Sequence, residues 1–163
     1  MSAEPRAVVV TVSTRAAAGV YADRSGPVLV EGLRELGFAV PDAVVVADGP
    51  PLREALAALL ADSPRPAVVL TTGGTGLSPS DLTPDITAEF LDRPVPGIAE
   101  ALRAAGIAAG VAAAVLSRGV AGLSGGTLLV NVAGSTGACR DALTVLGPVL
   151  PHVVDQVRGG DHG

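Results

Sequence analysis

The chain has 163 residues, of which 48% are apolar but only 2% aromatic, so we expect one domain with a core of valine, leucine and alanine. All 11 basic residues are arginine, which excludes both a Walker A loop and a lysine Schiff base. The net charge of −5 argues against a nucleic-acid-binding surface, although local arginines and amides can still bind small anions. The sequence therefore predicts a single domain over residues 1–163, with an ordered core of about residues 6–158.

The first half of the chain predicts alternating strands and helices. A β-branched run at residues 7–12 is typical of a strand buried on both faces. A starting proline, a final glycine and an apolar stripe between them predict a helix from Pro27 to Gly37. A strand at residues 40–46, a helix at residues 52–61 and a strand at residues 67–72 follow. This order predicts a three-layer α/β fold whose central sheet is mostly parallel, with the three strands as neighbours or near-neighbours.

The second half of the chain predicts further helices and a hairpin. Thr83 is the expected N-cap of a short helix with Pro84 in its first turn. The other expected elements are a helix at residues 97–105, a hairpin of strands at residues 112–119 and 127–132, a helix at residues 135–146 and a last helix from residue 149. Cys139 is the only cysteine, and we expect it to be a buried, unreactive thiol.

The segment Thr72-Gly73-Gly74-Thr75-Gly76 follows the third predicted strand and is the most informative part of the chain. Its glycines allow positive φ angles and close backbone approach, and successive N–H groups in such a turn can bind an anion. Ligands of parallel sheets gather beyond the carboxyl ends of the strands, where Ser13 and Asp48 are also expected, with Asp81 nearby. These features suggest nucleotide or phosphoester chemistry. The alternatives are a plain tight turn, an Asp-Gly turn at Asp48 and a helix cap at Asp81.

Seven segments occur in a fixed order along the chain. They are residues 13–23, Asp48, residues 72–76, residues 81–85, residues 96–97, residues 116–118 and residues 131–135. In this order they resemble the Mog/MoaB family of molybdenum-cofactor biosynthesis, which is related to the G domain of gephyrin. The similarity extends from Arg6 to about Gly160, and its most specific part is the glycine loop with the downstream Asp-x-Thr-Pro.

The resemblance implies a molybdopterin-binding α/β fold and assigns roles to individual residues. Asp48 and Asp81 match the family's two essential acidic positions, which implies catalysis and the handling of Mg²⁺ and nucleotide. The other matched positions are implied substrate-binding residues: Thr72, Gly73, Gly74, Thr75, Gly76, Ser13, Arg15, Ser117, Arg118, Asn131, Gly134 and Ser135. Arg15 and Arg118 could instead be surface charges, and Asn131 a hydrogen-bonding residue at the end of a strand.

The resemblance leaves more than one function open. Mog-type members adenylylate molybdopterin with Mg-ATP and release pyrophosphate, whereas a MoaB-type protein would bind the pterin or a precursor without turnover. A scaffold domain is a third possibility. The implied assembly is a cytoplasmic homotrimer, with the molybdate-insertion enzyme as a further candidate partner. The start of the sequence shows no secretory signal and no apolar run of membrane-spanning length, and we expect no membrane or nucleic-acid partner.

Three departures from the family pattern concern the expected ligand contacts. Thr14 stands where the family commonly has an acidic residue, and Ser80 where many members have arginine. The segment at residues 131–137 lacks two prolines and a lysine that the family often has there. We expect these changes to affect the contacts to the pterin phosphate more than the two aspartates.

Overall fold

A computed structural model describes residues 3–160 of the chain, so residues 1–2 and 161–163, the ends of the expected domain, lie outside the described part. Six strands form one sheet in the spatial order β2-β1-β3-β6-β5-β4. The strands are β1 Ala7–Val12, β2 Val44–Val46, β3 Val68–Thr72, β4 Arg93–Pro94, β5 Ala121–Ser124 and β6 Thr127–Val132. The helices are α1 Thr14–Ala17, α2 Ser25–Glu35, α3 Pro50–Leu60, α4 Thr83–Ala88, α5 Pro96–Ala108, α6 Thr136–Leu146 and α7 Leu150–Val157.

Four of the strands are parallel and end at the same edge of the sheet. Strands β2, β1, β3 and β6 pair in parallel, β5 pairs antiparallel with β6, and β4 pairs antiparallel with β5. The register places Val12 opposite Val46, and Thr72 opposite Val132. Loops that leave these strand ends must therefore meet, because the strands end together. The predicted neighbouring arrangement of the first three strands is confirmed.

Helices cover both faces of the sheet. On one face, alternate residues of β1 such as Val9 pack into a core with side chains of α2, α5, α6 and α7. On the other face, Val8 and Val10 pack with α3 and α4. All three valines are at most 1% exposed, as expected for a strand with a helical layer on each side. The prediction of a three-layer α/β fold with a mostly parallel sheet is confirmed.

Two predicted strands differ from the structure. The second strand comprises only Val44–Val46, because Pro41 lacks the N–H that a ladder needs, and upstream of β2 only Ala39 makes an isolated bridge, to Arg6. The strand predicted at residues 112–119 was wrong: Ala112–Leu116 is a 3₁₀ turn, since an alanine run has little preference for extended backbone. The hairpin exists, but the partner of β6 is the glycine-containing β5.

The start of α4 also differs by one residue from the prediction. The helix begins at Thr83 itself, and Leu82 occupies the N-cap position without a side-chain hydrogen bond. The hydroxyl of Thr83 is therefore not used as a helix cap. By contrast, Ser135 caps α6 as expected of a serine before a helix, because its Oγ accepts a hydrogen bond from the N–H of Ala138 at 3.1 Å.

The expected burial of Cys139 is confirmed. Its side chain is 0% exposed, and its Sγ lies 3.4 Å from Oγ1 of Thr72. Burial raises the pKa of the thiol, because the thiolate would lose its hydration. Within residues 3–160, no helix has both the length and the apolar character needed to cross a bilayer.

The thiol of Cys139 should resist modification while the protein is folded. We expect an aromatic disulfide reagent at pH 8 to react with it slowly in native buffer and at once in denaturant, because thiolate formation and access are both restricted. Absorbance of the released reagent anion measures both rates. Rapid stoichiometric reaction of the folded protein would contradict the observed packing around α6.

Candidate functional site

The loops that follow the four parallel strands touch one another. Ser13 follows β1, and its N–H donates to the carbonyl of Val46 at 2.9 Å. Gly73 follows β3, and its N–H donates to Val132 O at 3.0 Å. A Cβ on Gly134, which follows β6, would lie 3.2 Å from the Cα of Gly73. The predicted convergence of these segments at the carboxyl edge of the sheet is therefore present.

The glycine loop requires glycine at two positions for different reasons. Gly73 and Gly74 have φ angles of +103° and +67°, a region that disfavours other residues. A Cβ on Gly73 would overlap the carbonyl oxygen of Val12. On Gly74 it would overlap Oγ1 of Thr83 and lie 2.8 Å from Oδ1 of Asp48. The loop thus follows the end of β1 closely, and side-chain atoms of Asp48 and Thr83 occupy the position that a Cβ of Gly74 would take.

Three successive backbone amides of this loop have no partner within the described chain. The N–H groups of Gly74, Thr75 and Gly76 donate to no acceptor among residues 3–160. The carbonyl oxygens of the loop are used: Gly74 O accepts from the N–H of Thr83 at 3.1 Å, and Thr75 O from that of Arg118 at 2.8 Å. Free donors on a loop whose acceptors are occupied form a region of positive potential, which is suited to an anion.

Asp48 is held by Thr14, and one of its carboxylate oxygens remains free. The hydroxyl of Thr14 donates to Asp48 Oδ2 at 3.1 Å and accepts from the N–H of Asp48 at 3.2 Å. Oδ1 is buried and has no hydrogen-bond partner in the described structure. Thr14, which stands where the family commonly has an acidic residue, therefore affects the Asp48 carboxylate directly. A hydroxyl can donate to the Asp48 carboxylate, whereas a second carboxylate at this distance would repel it.

Asp81 lies on the other side of the same loop. Its Oδ2 accepts from the N–H of Ser78 at 3.0 Å, and a Cβ on Gly76 would be 2.8 Å from that oxygen. The hydrogen bond to Ser78 agrees with the alternative of a turn residue, but the second carboxylate oxygen has no partner among residues 3–160. Asp48 and Asp81 thus flank glycines that are two positions apart.

The oxygen atoms at this edge fit a magnesium ion that arrives with phosphates. Residues 3–160 contain no group of three His, Cys, Asp or Glu side chains that could hold a metal by itself. Mg²⁺ is commonly bound by one or two carboxylates, with the remaining positions filled by water and substrate phosphates. The free oxygen of Asp48, together with Asp81 and the free amides of the loop, is a set of groups of that kind.

Arg118 acts as an internal clamp in the structure. Its guanidinium donates to the carbonyl oxygens of Gly76 and Asp81 and pairs with both carboxylate oxygens of Asp85. The pairing lowers the pKa of the Asp85 carboxyl, mainly through the hydrogen bonds from Arg118. Most N–H donors of Arg118 are therefore engaged in holding the loop and α4 together, which favours neither a free surface charge nor an open phosphate ligand.

Asn131 and Thr72 are also engaged with the protein itself. The amide of Asn131 donates to the hydroxyls of Thr71 and Thr87 at 2.9 Å each, and its oxygen accepts from the N–H of Val120 at 3.1 Å. The hydroxyl of Thr72 donates to Ala133 O at 3.0 Å. For Asn131 these bonds favour the strand-end alternative that the sequence left open.

The other predicted binding residues are distributed around two cavities on either side of the loop. A cavity of about 630 Å³ has mostly apolar walls and includes Thr75, Gly76, Ser117, Asn131 and Ser135. A second of about 610 Å³ includes Ser13, Thr72, Gly73 and Gly134. Gly74, Arg15, Arg118 and the two aspartates line neither cavity, and the exposed side chain of Arg15 makes no hydrogen bond within the described residues.

The structure adds residues at this edge that sequence reasoning did not propose as ligands. Thr14 was noted only as a departure, although a hydroxyl directly after a strand end is itself a signal. Thr83 was interpreted as a helix cap. Tyr21 and Arg24 line the second cavity, and the phenol oxygen of Tyr21 lies 2.9 Å from Oγ of Ser13. Sequence reasoning included Tyr21 only as part of the matched segment at residues 13–23, because its contact with Ser13 depends on how the connection between β1 and α2 folds.

Known proteins of the same fold match almost the whole chain. A family described as a probable molybdopterin binding domain matches residues 8–152. The solved Mog protein of Mycobacterium ulcerans, described as a molybdopterin biosynthesis protein, is 45% identical and has a TM-score of 0.87, with 94% of this chain and 99% of that one covered. A molybdopterin adenylyltransferase of Helicobacter pylori is 34% identical over 153 residues, which are 93% of this chain and 86% of the relative.

A longer relative is also similar. A molybdenum cofactor biosynthesis bifunctional protein of Synechococcus elongatus is 41% identical over 158 residues, or 96% of this chain and 49% of that protein. This chain therefore spans about half the length of that relative. The fold and the loop site define an α/β protein with free backbone amides and carboxylates at the carboxyl edge of its sheet. The chain belongs to the family of molybdopterin-binding domains, in its Mog/MoaB group, as the resemblance implied.

Substitution of Gly74 should disrupt this site while leaving the sheet in place. In Gly74→Ala, the strained φ angle and the collision with Asp48 and Thr83 should displace the loop, at a cost of about 1–3 kcal/mol. The matched control is Gly97→Ala in α5, where a Cβ would meet nothing within 4 Å and φ is not positive. Thermal unfolding and titration with Mg-ATP measure both effects. Unchanged nucleotide affinity in folded Gly74→Ala would show that the loop is only a connector.

Substitution of Arg118 tests whether this side chain stabilises the fold or binds a phosphate. We expect Arg118→Ala to lower the free energy of unfolding by about 1–2 kcal/mol, because several hydrogen bonds to a charged group are lost. Arg158→Ala, at an exposed arginine, should change it by less than about 0.5 kcal/mol. Chemical denaturation measures both. Wild-type stability together with lost nucleotide binding would instead make Arg118 a phosphate ligand.

Proposed function

We propose that this chain transfers AMP from Mg-ATP to molybdopterin, giving adenylyl-molybdopterin and pyrophosphate. The observation that carries the proposal is the set of three free amides at Gly74, Thr75 and Gly76, flanked by the carboxylates of Asp48 and Asp81. Such a set suits a chain of phosphates with a divalent cation, because amides bind phosphate oxygens and carboxylates bind the cation. A relative named molybdopterin adenylyltransferase supports the choice of reaction.

The two cavities suggest how two substrates share the site. The pterin is a flat, fused ring, and the apolar cavity supplies walls from Leu77, Leu102 and Leu116 with hydroxyls at Ser117 and Ser135. Binding sites for such molecules typically combine apolar walls with a few polar groups. In this arrangement the terminal phosphate of the pterin lies towards the glycine loop, where the triphosphate is also bound.

The proposed reaction forms one P–O bond and breaks another. A terminal phosphate oxygen of molybdopterin attacks the α-phosphorus of ATP, and the bond between that phosphorus and the bridging oxygen of pyrophosphate breaks. The electron pair leaves with pyrophosphate, so no lysine, histidine or covalent intermediate is required. Catalysis then consists of positioning and of charge neutralisation, to which the loop amides contribute. Bound Mg²⁺ would neutralise charge on the phosphates, and Asp48 and Asp81 would hold it.

The assembly, location and partners belong to the same proposal. We propose a cytoplasmic homotrimer that passes its product to a molybdate-insertion enzyme. Half-exposed apolar side chains that do not line the apolar cavity, Ile107 in α5 and Val115 in the 3₁₀ turn, support association between copies. Light scattering should give three times the chain mass of 16.0 kDa. A monomer at micromolar concentration would remove the trimer from the proposal.

The aspartates provide the sharpest test of the proposed reaction. In Asp48→Asn and Asp81→Asn, size and hydrogen bonding are mostly kept while the negative charge is lost. We expect AMP transfer to fall by orders of magnitude, each factor of ten being about 1.4 kcal/mol of transition-state stabilisation. Thermal stability should change little, and pterin binding should survive better than turnover. The control is Asp42→Asn, whose side chain is 100% exposed.

Two outcomes would change the proposal. Near-normal AMP transfer by both variants at saturating Mg²⁺ and ATP would remove the aspartates from the mechanism. Wild-type protein that binds molybdopterin in calorimetry but forms no adenylylated pterin by mass spectrometry would instead be a pterin-binding protein without turnover. Collapse of the fold in both variants would assign the aspartates to turns.

A further inference from the structure

Two buried polar oxygens without a partner meet above Gly74. They are Oδ1 of Asp48 and Oγ1 of Thr83, the buried side-chain polar atoms that have no hydrogen-bond partner within residues 3–160. Both surround the point where a Cβ of Gly74 would fall, with Oδ1 at 2.8 Å and Oγ1 in overlap with it. Buried polar groups are nearly always hydrogen-bonded, so two at one point are unusual.

Thr83 is fixed in this position by its own backbone. Its N–H donates to Gly74 O at 3.1 Å, and the residue is 1% exposed. A threonine at the start of a helix often uses its hydroxyl as a cap, but Thr83 is the first helical residue and its hydroxyl makes no such bond. The hydroxyl is therefore held against the loop at Gly74, where the free oxygen of Asp48 also lies.

Two threonine hydroxyls near Thr83 do have hydrogen-bond partners within the protein. Thr87, one turn later in α4, accepts a hydrogen bond from Asn131 at 2.9 Å. Thr14 has both a donor and an acceptor contact with Asp48. Thr87 and Thr14 therefore have partners within the protein, whereas the fully buried hydroxyl oxygen of Thr83 has none within residues 3–160.

We propose that Thr83 is a further ligand-binding residue of the site, whose hydroxyl oxygen contacts, directly or through one water, the divalent cation held by Asp48. This inference rests on the proposed function for the identity of the cation and nucleotide. A hydroxyl oxygen beside a carboxylate oxygen is a suitable donor pair for Mg²⁺. Because Gly74 has no side chain, both oxygens can approach the loop backbone, so glycine at this position serves the site as well as the φ angle.

Substitution of Thr83 should affect stability and ligand binding differently. In Thr83→Val the hydroxyl is replaced by a methyl group of similar size. If the hydroxyl serves a ligand, the ligand-free variant should unfold at the same temperature as wild type or higher, because a buried group without a partner has been removed. Thr87→Val is the matched control, and it should unfold at a lower temperature, since the amide of Asn131 loses an acceptor.

Binding is measured with Mn²⁺ as a paramagnetic probe for Mg²⁺, by electron paramagnetic resonance in the presence of α,β-methylene ATP. We expect Thr83→Val to raise the Kd for Mn²⁺ about tenfold, which corresponds to about 1.4 kcal/mol. Thr83→Ser, which keeps the hydroxyl, should restore most of the affinity. Thr87→Val should bind Mn²⁺ as wild type does when compared below its unfolding temperature.

Each other result has a definite meaning. Unchanged Mn²⁺ affinity in Thr83→Val, or no Mn²⁺ binding by wild type, would overturn the inference. So would a loss of stability as large as that of Thr87→Val, because it would make the hydroxyl structural. AMP transfer by wild type together with unchanged Mn²⁺ affinity in the variant would leave the proposed function intact. Mn²⁺ binding that depends on Thr83 in a protein without AMP transfer would remove only the proposed function.

Discussion

The parallel register of β2, β1, β3 and β6 is the constraint on which the site depends. Val12 lies opposite Val46, and Thr72 opposite Val132, so the strands end together and their loops must share one edge. The backbone ladder sets this register, and the valines of β1 are divided between the two helical layers, Val9 on one side and Val8 and Val10 on the other. The apolar core thus fixes, at no extra cost, the relative positions of Ser13, Asp48, Gly73 and Gly134. The arrangement of the site therefore follows from the packing of the apolar core on the two faces of the sheet.

Polar groups at this edge fall into two classes. Asn131, Thr72 and Arg118 have their hydrogen-bonding capacity mostly used within the protein, and they join β3, β6, α4 and the glycine loop into a rigid frame. Free amides and the free oxygens of Asp48 and Thr83 are found inside that frame. Because an unpartnered buried polar atom costs folding free energy, its persistence suggests use by a ligand.

The absence of lysine becomes understandable in this setting. Positive potential for phosphates comes from the backbone amides of the loop. Arg118 holds the loop in place, because its guanidinium donates to the carbonyl oxygen of Gly76. Phosphoryl chemistry requires mainly position and charge neutralisation, and these groups can supply both without a titrating base. Thr14 adds a donor next to Asp48 where an acid would raise the local negative charge.

The sequence by itself determined the layered fold, the first and third strands and the glycine loop, because these depend on local periodicity and on backbone conformations that few residues tolerate. It did not determine that residues 112–116 form a turn or that β5 pairs with β6, since strand pairing depends on distant partners. Nor did it separate Asn131 and Arg118, which hold the frame, from Thr83, whose hydroxyl is free. Whether a polar side chain is satisfied or available depends on neighbours from other elements, and only the tertiary structure brings those neighbours together.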